Sequence, residues 1–251
     1  MYPIYIPSKN RAKTCVTADL LQRESVPFLV VVEPQDYKDY KLLYGDAVIV
    51  LPKDNQGLAY SRSWIKTHSK QAGDIFHWQL DDDIKRFMIR ENGKNIISTT
   101  IHALSTIEEF ISQYKNIGAA GPTYTTFAFS RKTQYGVNKQ VCSCFISLNS
   151  INAWWRDDTI DDTDYSMQIL SSQYWCTLLF YRILIDVLPV GNNPGGLDTI
   201  YNSDKFVKKQ QRLTEYWPGA FKLAYKKNGK TRIAPSSIWR KFPQKPIAID
   251  T

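Results

Sequence analysis

Apolar residues in the first 80 positions fall in short unbroken runs separated by longer amphipathic stretches. Ile4 to Pro7 is the first run, and it stops at the polar Ser8-Lys9-Asn10-Arg11. Val16, Leu20 and Leu21 then recur at helical spacing, and Pro27 closes that segment. Phe28 to Val32 is a continuous, largely β-branched run, the pattern of a strand buried on both faces. Ala47 to Leu51 predicts another strand and residues 57 to 70 a helix; Ile75 to Leu80 predicts a strand that runs straight into Asp81-Asp82-Asp83. Strands alternating with helices predict an α/β fold with a mostly parallel sheet flanked by helices. Ligands in such sheets bind beyond the carboxyl ends of the strands. Three polar clusters fall there: Ser8 to Arg11, Glu33 to Asp36, and Asp81 to Asp83.

The second half reads as more mixed. Glu91-Asn92-Gly93-Lys94 predicts a hairpin, because Asn-Gly tolerates the positive φ of a tight turn. Ser105-Thr106-Ile107-Glu108 has the form of a capping box, predicting a helix with Ile107, Phe110, Ile111 and Tyr114 on one face. Val141 to Leu148 predicts a strand with Cys142 and Cys144 on the same side, and Tyr165 to about Tyr174 a helix with acids at its start. Trp175 to Val190 holds one or two strands, and Asn192 to Gly196 reads as a loop. The expected organisation is a domain over 1–200, with a donor half over about 1–90 and a mixed acceptor half over about 91–200. A basic, aromatic-rich segment over 201–251 is expected to pack on the same domain.

Charge changes the picture at the C-terminal end. Lys205 to Lys245 contains twelve Lys and Arg against one acid, Glu215, a local net of +11 within a chain of +8. A basic segment on a slightly acidic body points to a polyanionic partner, although a solvated basic surface also fits. No apolar stretch is long enough to span a membrane, and Met1-Tyr2-Pro3-Ile4 lacks the zones of a signal peptide, so a cytoplasmic location is expected. Cys15, Cys142, Cys144 and Cys176 lack zinc-site spacing and read as free thiols.

Two acidic clusters carry the candidate chemistry. Three adjacent carboxylates at a strand end repel one another unless a cation or solvent relieves them. Their hard oxygens suit magnesium or manganese, which would neutralise a departing diphosphate; a solvated turn is the bland alternative. The second cluster is Asp161-Asp162-Thr163-Asp164, after Trp154-Trp155-Arg156 and at a helix start. One of these acids serves as a cap, but three exceed what capping needs, and one would act as a general base. Arg62 sits about one turn into the helix before the acidic strand, where an arginine suits a phosphate or planar base, or a surface ion pair. One of Trp154 and Trp155 would stack on a sugar or base, and the other belongs to the core. His77 reads as a packed or hydrogen-bonded strand residue. The tail mixes cations with Phe206, Tyr216, Trp217, Phe221, Tyr225, Trp239 and Phe242. That mixture suits either nucleic acid or packing.

The succession Ile-Pro-Ser-Lys-Asn-Arg, Val-Val-Val-Glu-Pro, Gly-Leu-Ala-Tyr-Ser-Arg and Trp-Gln-Leu-Asp-Asp-Asp-Ile resembles the donor half of GT-A (Rossmann-like) glycosyltransferases. Asp-Asp-Thr-Asp-Tyr-Ser-Met-Gln resembles their acceptor-side acidic motif. More narrowly, residues 1 to about 175 are similar to the TET-associated glycosyltransferases, bacteriophage enzymes that glycosylate hydroxymethylated pyrimidines in DNA. The resemblance implies a nucleotide-sugar donor, a uridine-diphosphate sugar above all, with a divalent metal (manganese or magnesium) and DNA as acceptor. No obligate protein partner is expected. It implies that Pro7, Ser8, Asn10, Arg11, Glu33, Arg62, Asp81 and Asp82 line the donor site, with Arg62 near the base or diphosphate and Glu33 near the base or ribose. Asp83 and Asp81 would hold the metal, and Asp162, with Asp161, would supply the base. Trp154, Trp155, Asp164, Lys208, Lys209 and Arg212 would meet the acceptor. The late histidine of many GT-A enzymes is missing, since the histidines are His68, His77 and His102. Asn192, Asn193, Asp198 or water would complete the metal shell instead. A protein or glycan acceptor, a nucleotidyltransferase, and a non-catalytic nucleic-acid-binding module remain the rival expectations.

Overall fold

The computed structural model describes residues 1–128, 133–189, 204–225, 231–233 and 237–249. The first half alternates as the apolar runs predict: β1 (Ile4–Pro7), α1 (Val16–Arg23), β2 (Leu29–Val32), α2 (Tyr37–Tyr44), β3 (Val48–Val50), α3 (Leu58–Gln71) and β4 (Phe76–Leu80). Then come β5 (Ile84–Glu91), β6 (Lys94–Ser98), α4 (Thr100–Ile111), β7 (Ile117–Tyr124), β8 (Tyr135–Val137), β9 (Cys144–Leu148), α5 (Asp161–Ser171) and β10 (Cys176–Val187). The C-terminal segment adds α6 (Asp204–Tyr216) and a small antiparallel pair, β11 (Leu223–Tyr225) with β12 (Thr231–Ile233).

One sheet runs in the order β3-β2-β1-β4-β9-β7-β10-β5-β6, with β8 paired to β10. β3, β2, β1 and β4 are mutually parallel, whereas β9 is antiparallel to both β4 and β7, and β10 is parallel to β7 but antiparallel to β5. This is the GT-A-like architecture, a parallel half joined to a mixed half.

Strand alternation explains why both faces are covered. Ile4, Ile6, Val30, Val32, Trp78, Leu80 and Ile146 share a core with Leu20 and Leu21 of α1, Tyr40 of α2 and Ile107 of α4. Tyr5 and Val31 point the other way, onto Ile65 of α3, and Phe145 joins Tyr165 and Ile169 of α5. A period of two with apolar residues on both sides leaves no solvent-facing surface on these strands.

Polar residues on the α3 face of β4 bond locally, although Gln79 Oε1 is buried without a hydrogen-bond partner. His77 Nδ1 meets Asn149 Oδ1 at 2.6 Å, Asn149 Nδ2 donates to Ser69 Oγ at 2.9 Å, and Gln79 Nε2 donates to the Arg62 carbonyl at 3.2 Å. Burial drives the His77 imidazole down to about 3, so it stays neutral. This ladder fixes α3 against β4 and sets the position of Arg62.

Several local expectations need correction. The Ser105 motif does not open α4; Thr99 caps it, accepting from the His102 N–H at 3.3 Å. Ser105 and Thr106 lie inside the helix and donate back to the carbonyls of Ile101 and His102, an alternative use of their hydroxyls. Ser143 adopts a φ of 57°, so the backbone turns there and β9 starts only at Cys144; the alternation of Cys142 with Cys144 is broken. Cys176–Val187 forms one long strand, one of the two alternatives expected for that stretch. The hairpin is as predicted, with Asn92 and Gly93 both at positive φ between β5 and β6.

β7 and β9 approach closely at Gly121, where an added Cβ would lie 2.3 Å from the Cys144 carbonyl oxygen. No helix of the described residues is long and apolar enough to cross a membrane.

Candidate functional site

The acidic triplet is anchored at the exit of β4 by backbone contacts. Asp81 N–H donates to the Ser143 carbonyl at 2.6 Å, and the Thr17 hydroxyl donates to the Asp81 carbonyl at 2.6 Å while accepting from Ile84 N–H at 2.8 Å. Asp83 is held from the other side, its carbonyl accepting from Leu188 N–H at 2.9 Å. Thr17 and Ser143, which sequence reading did not single out, therefore fix the backbone of the cluster.

The three side chains diverge. Asp82 turns inward, taking Arg11 Nη1 at 2.7 Å and the Ser8 hydroxyl, and Ser8 in turn meets the Tyr40 hydroxyl at 2.6 Å. Burial raises the Asp82 carboxyl, and Arg11 and Ser8 oppose that rise. Asp81 pairs with Arg62 at 2.9 Å. Asp83 has a buried oxygen, Oδ1, with no hydrogen-bond partner. Burial, then the charges of Asp81 and Asp82, push its carboxyl up to about 7.

Arg62 is the hinge of the site. Its guanidinium is 1% exposed and reaches Asp81 at 2.9 Å, Asp161 at 3.4 Å and Asp162 at 3.5 Å. The two acidic clusters, 80 residues apart in sequence, thus converge on one cation. Arg62, expected near the base or diphosphate, has its guanidinium facing three carboxylates. Burial would disfavour its charge, but Asp162, Asp81 and Asp161 hold the guanidinium protonated. Burial and then Asp161 raise the Asp162 carboxyl well above the ordinary range, against the pull of Arg62. One positive charge facing three carboxylates, with Asp83 beside them, leaves a surplus of negative charge. Among the described residues no three His, Cys, Asp or Glu side chains are grouped to hold a metal by themselves. The Asp81–Asp83 side supplies hard oxygens suited to a cation that also takes ligands from phosphate and water. Asn192, Asn193 and Asp198 lie outside the described residues.

The remaining donor-side residues line the mouth of the parallel half. Pro7 is buried at the end of β1, and Asn10 is exposed at a φ of 55°, its N–H donating to Asp36 Oδ2 at 3.2 Å. Glu33 is spent internally. It pairs with Lys9 at 2.5 Å and accepts from the N–H groups of Gln56 at 2.8 Å and Gly57 at 3.3 Å. Burial works against its charge, but these donors hold the carboxyl below its usual range. Glu33, expected near the base or ribose, fastens the loop that leads into α3.

On the acceptor side, Trp155 belongs to the core, stacked on Tyr165 at 3.9 Å, while Trp154 is 42% exposed. Lys66 of α3 sits beneath Trp154, 4.5 Å from its ring centroid, and donates to the carbonyls of Ile151 at 2.6 Å and Ala153 at 2.7 Å. Asp164, expected beside the acceptor, is 0% exposed and fully engaged. It accepts from Arg156 Nε at 2.7 Å and Nη2 at 2.5 Å, Gln168 Nε2 at 2.7 Å and Trp217 Nε1 at 2.8 Å.

The C-terminal segment therefore clamps the loop that precedes the second cluster. Arg156 lies 3.8 Å from the Tyr216 ring centroid, Asp158 accepts from Tyr216 Oη at 2.9 Å and Arg212 Nε at 3.0 Å, and Lys209 donates to the Asp157 carbonyl. Lys209 and Arg212 pair with Asp157 and Asp158 at the surface, whereas Lys208 is exposed. Nothing in the sequence paired Arg156 or Trp217 with Asp164.

Comparison with solved structures returns distant likenesses. A197 from STIV is 10% identical, covers 95% of this chain and 96% of its own, and has a TM-score of 0.44. CMP:2-keto-3-deoxy-manno-octonic acid synthetase complexed with CTP is 8% identical, covers 72% of this chain and 89% of its own, and has a TM-score of 0.46. Mannose-1-phosphate geranyltransferase from Thermus thermophilus is 14% identical, covers 72% of this chain and 57% of its own, and has a TM-score of 0.35. No curated protein sequence matches significantly. The sequence family described as TET-Associated Glycosyltransferase matches residues 2–195. That span takes in β1, both acidic clusters and the whole sheet, and the chain belongs to the TET-associated glycosyltransferase family.

Proposed function

We propose that this glycosyltransferase moves a sugar from a uridine-diphosphate sugar to the 5-hydroxymethyl group of a modified pyrimidine in DNA. The observation that carries the reading is the meeting of both acidic clusters at Arg62, with a surplus of carboxylate charge beside the end of β4. Family membership supports sugar transfer, and the excess of negative oxygens supports a divalent cation. Asp83 and Asp81 would hold that metal, which would supply charge neutralisation at the leaving diphosphate.

In this reaction the acceptor oxygen attacks the anomeric carbon as the carbon–oxygen bond to the diphosphate breaks. The nucleoside diphosphate leaves with the electron pair. Asp162 takes the hydroxyl proton, and burial, which raises its proton affinity, suits it to that task. Attack opposite the leaving group inverts the anomeric centre. Ser8 and Arg11 hold Asp82 and so keep the donor-side loop closed on the strand end.

The test is a screen of uridine-diphosphate sugars with manganese against DNA containing hydroxymethylcytosine or hydroxymethyluracil, read by nucleoside mass spectrometry. A mass increase of one sugar on either base supports the reading. Release of pyrophosphate with transfer of a nucleotide would replace it with a nucleotidyltransferase, and transfer only to protein or glycan would remove DNA as acceptor.

A further inference from the structure

At the end of β7 away from the acidic clusters, the C-terminal segment roofs a groove of about 540 Å³. Tyr114, just before β7, lines this groove, whereas Tyr124 at the other end of β7 bonds Ser143 beside Asp81. A strand of eight residues separates the two places by roughly 20 Å or more.

Asn138 builds the groove. It is 3% exposed, and its Nδ2 donates to the carbonyls of Phe242 at 3.1 Å and Gln244 at 2.8 Å, stitching the segment down. Its Oδ1 is left with no partner. Gln244 repeats the pattern, giving its amide N–H groups to the carbonyls of Leu170 and Trp175 and leaving Oε1 without a donor. Two buried amides thus hold the C-terminal segment in place along the same groove. Lys139, Arg240 and Lys245 line it as well, no acid stands among its described lining residues, and Trp239 contributes a half-buried ring.

Cations for phosphates and a ring for stacking together match a single strand with exposed bases. A polyanion without bases would use the cations alone. We propose that this groove binds a single-stranded segment of DNA, with a base against Trp239 and neighbouring phosphates on Arg240 and Lys245. The choice of DNA as the polymer rests on the acceptor reading above; the groove itself is independent of the transfer chemistry.

Fluorescence anisotropy of the full-length chain with labelled oligodeoxythymidylate, in the absence of any sugar nucleotide, tests this. Replacing both exposed cations, Arg240→Gln with Lys245→Gln, should weaken binding and flatten the log K against log salt slope by about 1.4, two phosphate contacts' worth for a single strand. Trp239→Ala should weaken binding on the order of tenfold with the slope unchanged. If that variant fails to fold, the charge pair and its salt slope still decide. An unchanged slope in the charge variant overturns the proposal, as does displacement of the oligonucleotide by inorganic polyphosphate as readily as by unlabelled oligonucleotide. Transfer to a hydroxymethylated mononucleotide, too short to reach the groove, should be unaffected in these variants. Should no hydroxymethylpyrimidine ever accept a sugar while the slope change holds, the acceptor reading fails and the groove stands.

Discussion

The two acidic clusters meet at one arginine but are held in different ways. The cluster at the exit of β4 is fixed from within the sheet, by Thr17, Ser143, Ser8 and Arg11, all inside residues 2–195. The cluster at the start of α5 is fixed from outside it, by Arg156 and by Trp217, Tyr216 and Arg212 of the C-terminal segment. The Asp81–Asp83 side, proposed to take the metal and donor, is therefore built into the family core. The cluster proposed to supply the base is held in part by a segment beyond the family match, the region in which acceptor choice would vary under the proposed function.

The largest effect should come from the cluster at the strand exit. Asp83→Ala should cut sugar transfer on the order of a thousandfold or more. The metal-free protein should melt no lower than wild type, because the variant removes a carboxylate oxygen that has no protein partner and two like-charged neighbours. Retained turnover would remove Asp83 from the metal site.

Arg62→Met probes the joint between the clusters. Stranding three carboxylates around an apolar side chain should cost about 3–5 kcal/mol in denaturant unfolding. The same cation lowers the Asp162 carboxyl, so the pH profile of any folded variant carries a second readout. A general base with a raised carboxyl is active above that value and loses activity as pH falls through it. The acid limb of kcat/KM should therefore lie above the ordinary carboxylate range in wild type and move higher still without Arg62.

Trp217→Phe removes one charge-assisted donor from Asp164 and leaves the ring. A stability loss of about 1–2 kcal/mol is expected. Transfer to DNA should fall more than hydrolysis of the sugar nucleotide by water, since the donor side is held elsewhere; equal losses in both would erase the contrast between the clusters. Arg212→Ala, which breaks exposed ion pairs with Asp158 and Glu215, should change stability by less than about 1 kcal/mol.

What the sequence disclosed followed the strength of its local signals. Phe28 to Val32 and Ile75 to Leu80 are uninterrupted apolar runs, so the strands and the acidic exit were legible. β7 was not, because Gly118-Ala119-Ala120-Gly121-Pro122 lacks the bulky residues of a strand; small residues are there so that β9 and α5 can approach. Asp81, Asp83, Asp161 and Asp162 could be picked out as candidates from charge density alone. The internal duties of Arg62, Glu33 and Asp164 could not, because whether a charge meets ligand or protein is decided by residues distant in sequence. Tail cations looked free for the same reason, although Lys209 and Arg212 face Asp157 and Asp158.

Gly121 gives the site a remote setting point. Any larger residue there would press on the carbonyl of Cys144, adjacent to Ser143, whose own carbonyl grips the amide of Asp81. A single methyl group placed between the two strands would thus displace the backbone that anchors Asp81 without touching the carboxylates themselves.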